Sequence, residues 1–139
     1  MQLRNGRMIV PVWLSNGGKG EFGPKHRGHR PSDVALIYSD DRGVTWRRGD
    51  FVARNDQIVA GVKAVYPSET TAVELSDGSV LFNMRSESAR QRRLIAISPD
   101  GVSGWSGHRW DEALLDPVCM ASLLRYDWPV DGRPGRILF

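Results

Sequence analysis

A short hairpin signal constrains the fold of this chain more than any other feature of its sequence. Two apolar runs, residues 72–75 and 80–82, flank the dipeptide Asp77-Gly78, and this dipeptide readily supplies the positive φ angles of a tight β-turn. The stretch therefore predicts a β-hairpin. Glu69 stands just before its first strand and Arg85 just after the apolar run of its second, so a twisted hairpin would aim both at the same end of a sheet.

Similar apolar runs recur along the chain without a convincing helical period. Strands are predicted over residues 8–14, 33–39, 92–98 and 121–126. Pro11 interrupts the first of these, which indicates an edge strand, a bulge or a strand end. Turn signals rich in Gly, Asp, Ser and Pro separate the runs. The sequence therefore predicts an all-β protein.

The hairpins also repeat. Residues 3–10 line up with residues 75–82, and the Ser-to-Trp segment at 39–46 lines up with the one at 98–105. Blades of about 40–50 residues are the size of a propeller unit, and a closed propeller needs about four to eight of them. The 139 residues hold only two or three, so we expect one incomplete domain over residues 1–139 that needs the remainder of the ring for closure.

Charge and composition exclude several other classes of protein. The net charge of +3 is spread along the chain, and the basic cluster Arg90, Arg92 and Arg93 is predicted to be a solvated surface, so nucleic acid is not an expected partner. The single cysteine, Cys119, rules out an internal disulfide and a Cys-based zinc cluster. No apolar run approaches the ~18 residues of a membrane-spanning helix. The sequence does not indicate a compartment.

Two motif-like patterns are set aside. Residues 18–23 fit the G-x-G-x-x-G dinucleotide pattern, but Pro24 and further breakers follow, so we expect a loop instead of a helix. His26 and His29 have a spacing that suits a metal, yet no Cys, Asp or Glu lies close by in sequence. No metal and no organic cofactor is predicted.

One turn carries a recognisable motif. Residues 39–46, Ser-Asp-Asp-Arg-Gly-Val-Thr-Trp, match the Asp-box, Ser-x-Asp-x-Gly-x-Thr-Trp, at every fixed position, whereas residues 98–105 keep only its Ser, Asp and Trp. Asp-boxes mark β-propeller blades in sialidases, in unrelated glycosidases and in non-catalytic propellers. They are structural turns remote from the pocket, so neither Asp40 nor Asp41 is predicted to be catalytic. Trp46, Trp105 and Trp110 are expected to pack within blades, and Trp13 beside the pocket is left open as a sugar contact.

Four stretches together resemble bacterial exo-α-sialidases: residues 2–13, the loop 29–32, the central hairpin and residues 115–122. The resemblance implies the inner blades of a six-bladed β-propeller, hence a partial propeller of about two to three blades of antiparallel strands. It implies a retaining glycoside hydrolase that releases terminal sialic acid, with a sialylated glycan as its partner.

The resemblance also assigns roles to three residues. Sialic acid bears a carboxylate on its anomeric carbon, which repels an anionic nucleophile, and the family uses a tyrosine instead. A phenol with a pKa near 10 needs a base to remove its proton, and Glu69 matches the family's catalytic glutamate. Arg85 matches the second of three arginines that bind the substrate carboxylate, and Arg30 is a candidate rim contact with substrate. Glu74, the rival carboxylate, is expected to face outward.

The resemblance equally implies what this chain lacks. The family's nucleophilic tyrosine, its acid/base aspartate and its first and third arginines belong outside residues 1–139. Tyr38, Tyr66 and Tyr126 do not stand in the nucleophile's motif and are expected to pack in strands or loops. We therefore expect the isolated chain not to hydrolyse a sialoside. The alternative function is a non-catalytic Asp-box propeller that binds glycan or protein.

Overall fold

Among the residues described by the computed structural model, every regular element is a β-strand. The structure describes residues 1–17 and 28–139; the glycine motif at 18–23 and His26 lie outside these ranges. The strands are β1 (Met8–Ser15), β2 (Ser32–Ser39), β3 (Arg47–Arg48), β4 (Ile58–Val59), β5 (Val62–Lys63), β6 (Thr70–Glu74), β7 (Val80–Met84), β8 (Arg92–Ser98), β9 (Ser106–Leu115), β10 (Leu124–Arg125) and β11 (Ile137–Leu138). The prediction of an all-β protein is confirmed, and among the described residues no helix is long and apolar enough to cross a membrane.

The strands form small antiparallel sheets. A three-stranded sheet has the order β1-β2-β3, a four-stranded sheet has the order β6-β7-β8-β9, and β4-β5 and β10-β11 are two-stranded. All pairings are antiparallel between neighbours along the chain. Pro11 lies inside β1, which is an edge strand of its sheet. Of the three alternatives that the proline left open, the structure has the edge strand, where the N–H that proline lacks is not needed for pairing. A bridge between Gln2 and Met8 adds a stub beside β1.

The central hairpin forms as predicted. Strands β6 and β7 pair with Glu74 opposite Val80, and Gly78 has a φ of +90°, a conformation that glycine adopts without steric cost. The Leu75 amide donates to the Ser79 carbonyl at 2.7 Å to close the turn. The residues before β6 and after β7 therefore lie side by side at the opposite end of the hairpin.

The core lies between the three-stranded and four-stranded sheets. Alternate residues of β7 and β8 point into the core, because successive strand residues face opposite sides of a sheet. Strands β1 and β2 contribute further buried side chains. The core residues from these four strands are Ile9, Val34, Leu36, Val80, Phe82, Met84, Leu94 and Ala96. Trp105 packs on Phe82 at a centroid distance of 4.4 Å, and the Trp110 indole donates to the Val59 carbonyl at 2.9 Å. The packing prediction is wrong for Trp46, which is 40% exposed and donates to the Gly43 carbonyl of its own turn.

Two similar turns precede the last strand of these two sheets. In the first, the Ser39 hydroxyl accepts the Gly43 amide at 2.8 Å; in the second, the Ser98 hydroxyl accepts the Gly101 amide at 2.9 Å. The Asp41 carboxylate accepts both the hydroxyl and the amide of Thr45, and these bonds lower the pKa of Asp41 to about 2. Hydrogen bonds that stabilise a carboxylate make it harder to protonate.

Arg7 joins the two turns. Its Nε donates to Asp40 Oδ1 at 2.7 Å, and its Nη1 donates to the Asp100 carbonyl at 3.1 Å. The hydrogen bond with Asp40 raises the pKa of Arg7 and lowers that of Asp40. A single guanidinium thus contacts the turns of both sheets at the end remote from Glu69 and Arg85.

Candidate functional site

A cleft of about 390 Å³ opens at the end of the β6–β7 hairpin that carries Glu69 and Arg85. Segments from both large sheets contribute to it, and its lining is Trp13, His29, Arg30, Ser32, Tyr66, Ser68, Glu69, Arg85 and Glu87. The lining contains two guanidinium groups and two carboxylates together with aromatic rings. It is therefore suited to a polar ligand that also presents some apolar surface.

Glu69 and Arg85 face each other across the hairpin. Glu69 immediately precedes β6 and Arg85 immediately follows β7, and the Arg85 amide donates to the Glu69 carbonyl at 2.9 Å, which extends the strand ladder by one pair. Side chains directly opposite in an antiparallel pair lie close together. Glu69 Oε2 is 3.4 Å from Arg85 Nε. The structure thus brings together Glu69 and Arg85, the two charged side chains that the sequence predicted at one end of a sheet.

The Arg85 guanidinium is held on more than one side. Its Nη1 donates to the Ser68 hydroxyl at 2.8 Å, and its Nη2 donates to Glu87 Oε1 at 3.3 Å. Each terminal nitrogen carries two hydrogens, and these bonds account for one on each. One hydrogen on each terminal nitrogen is left to donate to a ligand, and a planar guanidinium can bind a carboxylate through two parallel bonds.

Arg30 lies in the same cleft and shares a partner with Arg85. Its Nη2 is 2.5 Å from Glu87 Oε1, and its guanidinium lies 5.7 Å from the centre of the Tyr66 ring. Half of its side chain is exposed, as a rim position requires. The structure therefore places all three sequence-predicted site residues in one cleft.

Aromatic residues form the apolar part of the lining. The rings of Trp13 and His29 are 5.6 Å apart at an angle of 53°. Both residues line the cleft, so Trp13 lies where it could contact a sugar, the role that the sequence left open. Tyr66, expected to pack in its loop, lines the cleft as well. Its φ of +46° is strained for a bulky residue, and its amide donates to the Asn55 side chain at 3.0 Å.

Glu74 is the carboxylate for which the sequence-based expectation is wrong. It is buried instead of facing outward, because the Arg4 side chain and amide bind both of its oxygens at 2.9 and 2.8 Å. It lies at the Val80 end of the hairpin, away from Arg85. A buried carboxylate engaged in this way is structural.

A buried ion pair lies behind the cleft, and it overturns a second expectation. Arg93, predicted to belong to a solvated basic cluster, has a side chain only 1% exposed, and its Nη1 is 3.4 Å from Oδ1 of Asp116, which is fully buried. Burial lowers the pKa of Arg93, and the nearby Asp116 opposes this change. Its companions in the cluster, Arg90 and Arg92, do lie toward solvent and pair with Glu112.

The same ion pair is hydrogen-bonded to the backbone next to Arg85, which lines the cleft. The second oxygen of Asp116 accepts the Ser86 amide at 2.9 Å, and Arg93 donates to both the side chain and the carbonyl of Asn83. Residues on either side of Arg85 are therefore held by one buried network. Such support fixes the direction of a site side chain.

Sequence reasoning missed several lining residues, although two had a usable signal. Glu87 lies two positions after Arg85, and residues two apart in extended chain share a face. Ser68 adjoins Glu69, and its amide donates to the Arg85 carbonyl at 3.1 Å.

Within the described part of the chain no group of three or more His, Cys, Asp or Glu side chains could hold a metal ion.

Comparison with known proteins gives a consistent relationship. No protein-family model matches the chain. A sialidase from Micromonospora viridifaciens is 38% identical over 104 residues, which cover 73% of this chain and 14% of the relative. A sialidase from Bacteroides fragilis (strain YCH46) is 28% identical over 96 residues, covering 68% of this chain and 15% of the relative. The chain is therefore homologous to bacterial sialidases, over a segment that makes up only 14 to 15% of their length.

Proposed function

We propose that this chain is part of an exo-α-sialidase and that its cleft binds the carboxylate of a terminal sialic acid. The observation that carries the proposal is the pairing of Glu69 Oε2 with Arg85 Nε at 3.4 Å in one cleft. Homology to bacterial sialidases supports the substrate class. Arg85 supplies a permanent positive charge in a planar group, which lysine cannot imitate.

The proposed architecture is a partial six-bladed β-propeller. Support comes from the two large sheets, in which neighbouring strands are consecutive and antiparallel and a Ser-Asp turn precedes the last strand. In this arrangement the antiparallel pair of β10 and β11 is the beginning of a third blade. In this arrangement residues 1–139 form an incomplete domain and the remainder of the propeller closes the ring.

The proposed chemistry assigns one task to each residue. Glu69 removes the proton from a tyrosine that belongs to another part of the propeller. This tyrosine attacks the anomeric carbon as the bond to the aglycone breaks, and the family's acid/base aspartate, which likewise belongs outside residues 1–139, protonates the departing oxygen. Water then displaces the tyrosine and releases the sialic acid. A tyrosine nucleophile avoids the repulsion between two anions and leads to retention of configuration. Arg85 holds the substrate carboxylate, and Arg30 contacts the substrate at the rim.

Binding is tested directly with the chain as it stands. N-Acetylneuraminic acid is titrated into the wild-type chain and Arg85→Lys, and affinity is measured from amide chemical shifts by NMR. Arg85→Lys keeps the charge but loses paired hydrogen bonds, so we expect affinity to fall about tenfold or more. Arg136→Lys, at an exposed ion pair with Asp127, is the matched control. Equal affinities for wild type and Arg85→Lys would refute the assignment.

A second experiment separates an enzyme from a glycan-binding propeller. The chain replaces the homologous segment of the Micromonospora viridifaciens sialidase, and turnover of a fluorogenic sialoside is followed. Loss of a general base costs about 10²–10⁴-fold in rate, so Glu69→Gln should lower kcat by that amount with little change in KM. If the parent chimaera is active and Glu69→Gln retains its full kcat, the catalytic role is excluded and a binding role remains.

A further inference from the structure

One oxygen of Glu87 contacts both arginines of the cleft. Glu87 Oε1 is 2.5 Å from Arg30 Nη2 and 3.3 Å from Arg85 Nη2. Two guanidinium groups that share an oxygen lie within a few ångströms of each other, and like charges at that distance repel unless an anion lies between them. The Glu87 side chain is only 19% exposed, so water screens this repulsion only in part.

Hydrogen bonds hold the backbone of Glu87 in place. Its amide donates to the Val65 carbonyl at 2.8 Å, and the Ser86 hydroxyl donates to the same carbonyl at 3.0 Å. The preceding amide, that of Ser86, is bound by the buried carboxylate of Asp116. A carboxylate whose own amide and preceding residue are both held by hydrogen bonds can hold flexible arginine side chains in one geometry.

We infer that Glu87 is the positioning residue that holds Arg30 and Arg85 side by side as a paired guanidinium clamp for the carboxylate of the substrate. Arg85 belongs to the hairpin, whereas Arg30 comes from the segment before β2, so the shared oxygen couples two parts of the chain. The inference rests on the proposed function, since the clamp has a purpose only if a carboxylate enters the cleft. Glu87 itself acts through the arginines and carries no step of the reaction.

The first test needs no ligand. Rotation of the guanidinium about its Cζ–Nε bond is followed by NMR for Arg30 and Arg85 in wild type, Glu87→Ala and Glu87→Gln. Alanine removes the shared acceptor, so both groups should rotate faster, whereas glutamine retains an oxygen that accepts hydrogen bonds but loses the charge, so the increase in rotation rate should be smaller. Glu112→Ala is the matched control, because Glu112 also lies beside two arginines, Arg90 and Arg92, but outside the cleft. Unchanged rotation in Glu87→Ala would overturn the inference.

The second test measures affinity for N-acetylneuraminic acid in the same variants. We expect Glu87→Ala to bind about tenfold more weakly, the effect of losing one charge-assisted contact. Glu87→Gln should lie between Glu87→Ala and wild type, because it keeps an acceptor but loses the anion, and Glu112→Ala should bind like wild type. Thermal unfolding shows whether Glu87→Ala remains folded. If Glu112→Ala loses as much affinity as Glu87→Ala, or if Glu87→Ala leaves the affinity unchanged, the positioning role is refuted.

The two tests fail in different ways. If the wild-type chain does not bind N-acetylneuraminic acid while Glu87→Ala still frees both arginines, the proposed function is wrong and the positioning role of Glu87 stands. If the wild type binds and Arg85→Lys weakens binding, but Glu87→Ala changes neither rotation nor affinity, the proposed function stands and the role of Glu87 is refuted.

Discussion

Replacing Asp116 with asparagine leaves the Arg93 charge buried without its anionic partner. The two side chains are 0% and 1% exposed, so water cannot replace the lost carboxylate. Removing one member of a buried ion pair typically costs about 3–5 kcal/mol, a large part of the roughly 5–15 kcal/mol by which a domain is stable. With a urea dependence of about 1–3 kcal/mol per molar, we expect the unfolding midpoint to fall by about 2 M.

The assay is equilibrium unfolding in urea, followed by tryptophan fluorescence. Asp127→Asn is the matched control, because its ion pair with Arg136 has comparable chemistry but is open to solvent, and it should leave the midpoint nearly unchanged. Replacing both buried partners, Arg93→Met with Asp116→Leu, should be better tolerated than Asp116→Asn alone. A midpoint for Asp116→Asn equal to that of the control would refute the reasoning.

Three further predictions concern turns and activity. Gly78→Ala places a Cβ at a φ of +90° and should cost roughly 1–2 kcal/mol, measured by urea unfolding; an unchanged midpoint would contradict it. The pKa of Asp41 is about 2 in the folded chain, below its unfolded value, so its stabilisation is present at neutral pH and is lost as pH falls from about 4 through 2. The midpoint difference between wild type and Asp41→Asn should accordingly shrink over that range, and a constant difference would exclude this origin. The isolated chain should give no turnover of a fluorogenic sialoside, and measurable hydrolysis would refute that expectation.

Local chemistry explains which parts of the fold the sequence could predict. The Asp77-Gly78 turn fixes the register of its hairpin because only a few dipeptides favour that geometry. Strand β8 occupies the predicted residues 92–98, since its apolar, branched side chains fit a buried strand. Residues 121–126, by contrast, form a strand only at Leu124–Arg125.

Charged residues were predicted less well because their partners come from distant parts of the chain. Arginine is usually a surface residue. Arg93 is buried because Asp116, on another segment of the chain, pairs with it. Glu74 is likewise held inside by Arg4, 70 positions earlier. The proximity of Glu69 and Arg85 could be anticipated, because the strand ladder of one local hairpin enforces it.

The most direct measurement of the central claim is a structure of the chain bound to N-acetylneuraminic acid. We expect the sugar carboxylate to accept two hydrogen bonds from the terminal nitrogens of Arg85, with Glu69 on the side from which a nucleophile would approach the anomeric carbon. A sugar bound elsewhere on the chain, or one that presents only its hydroxyl groups to Arg85, would contradict the account.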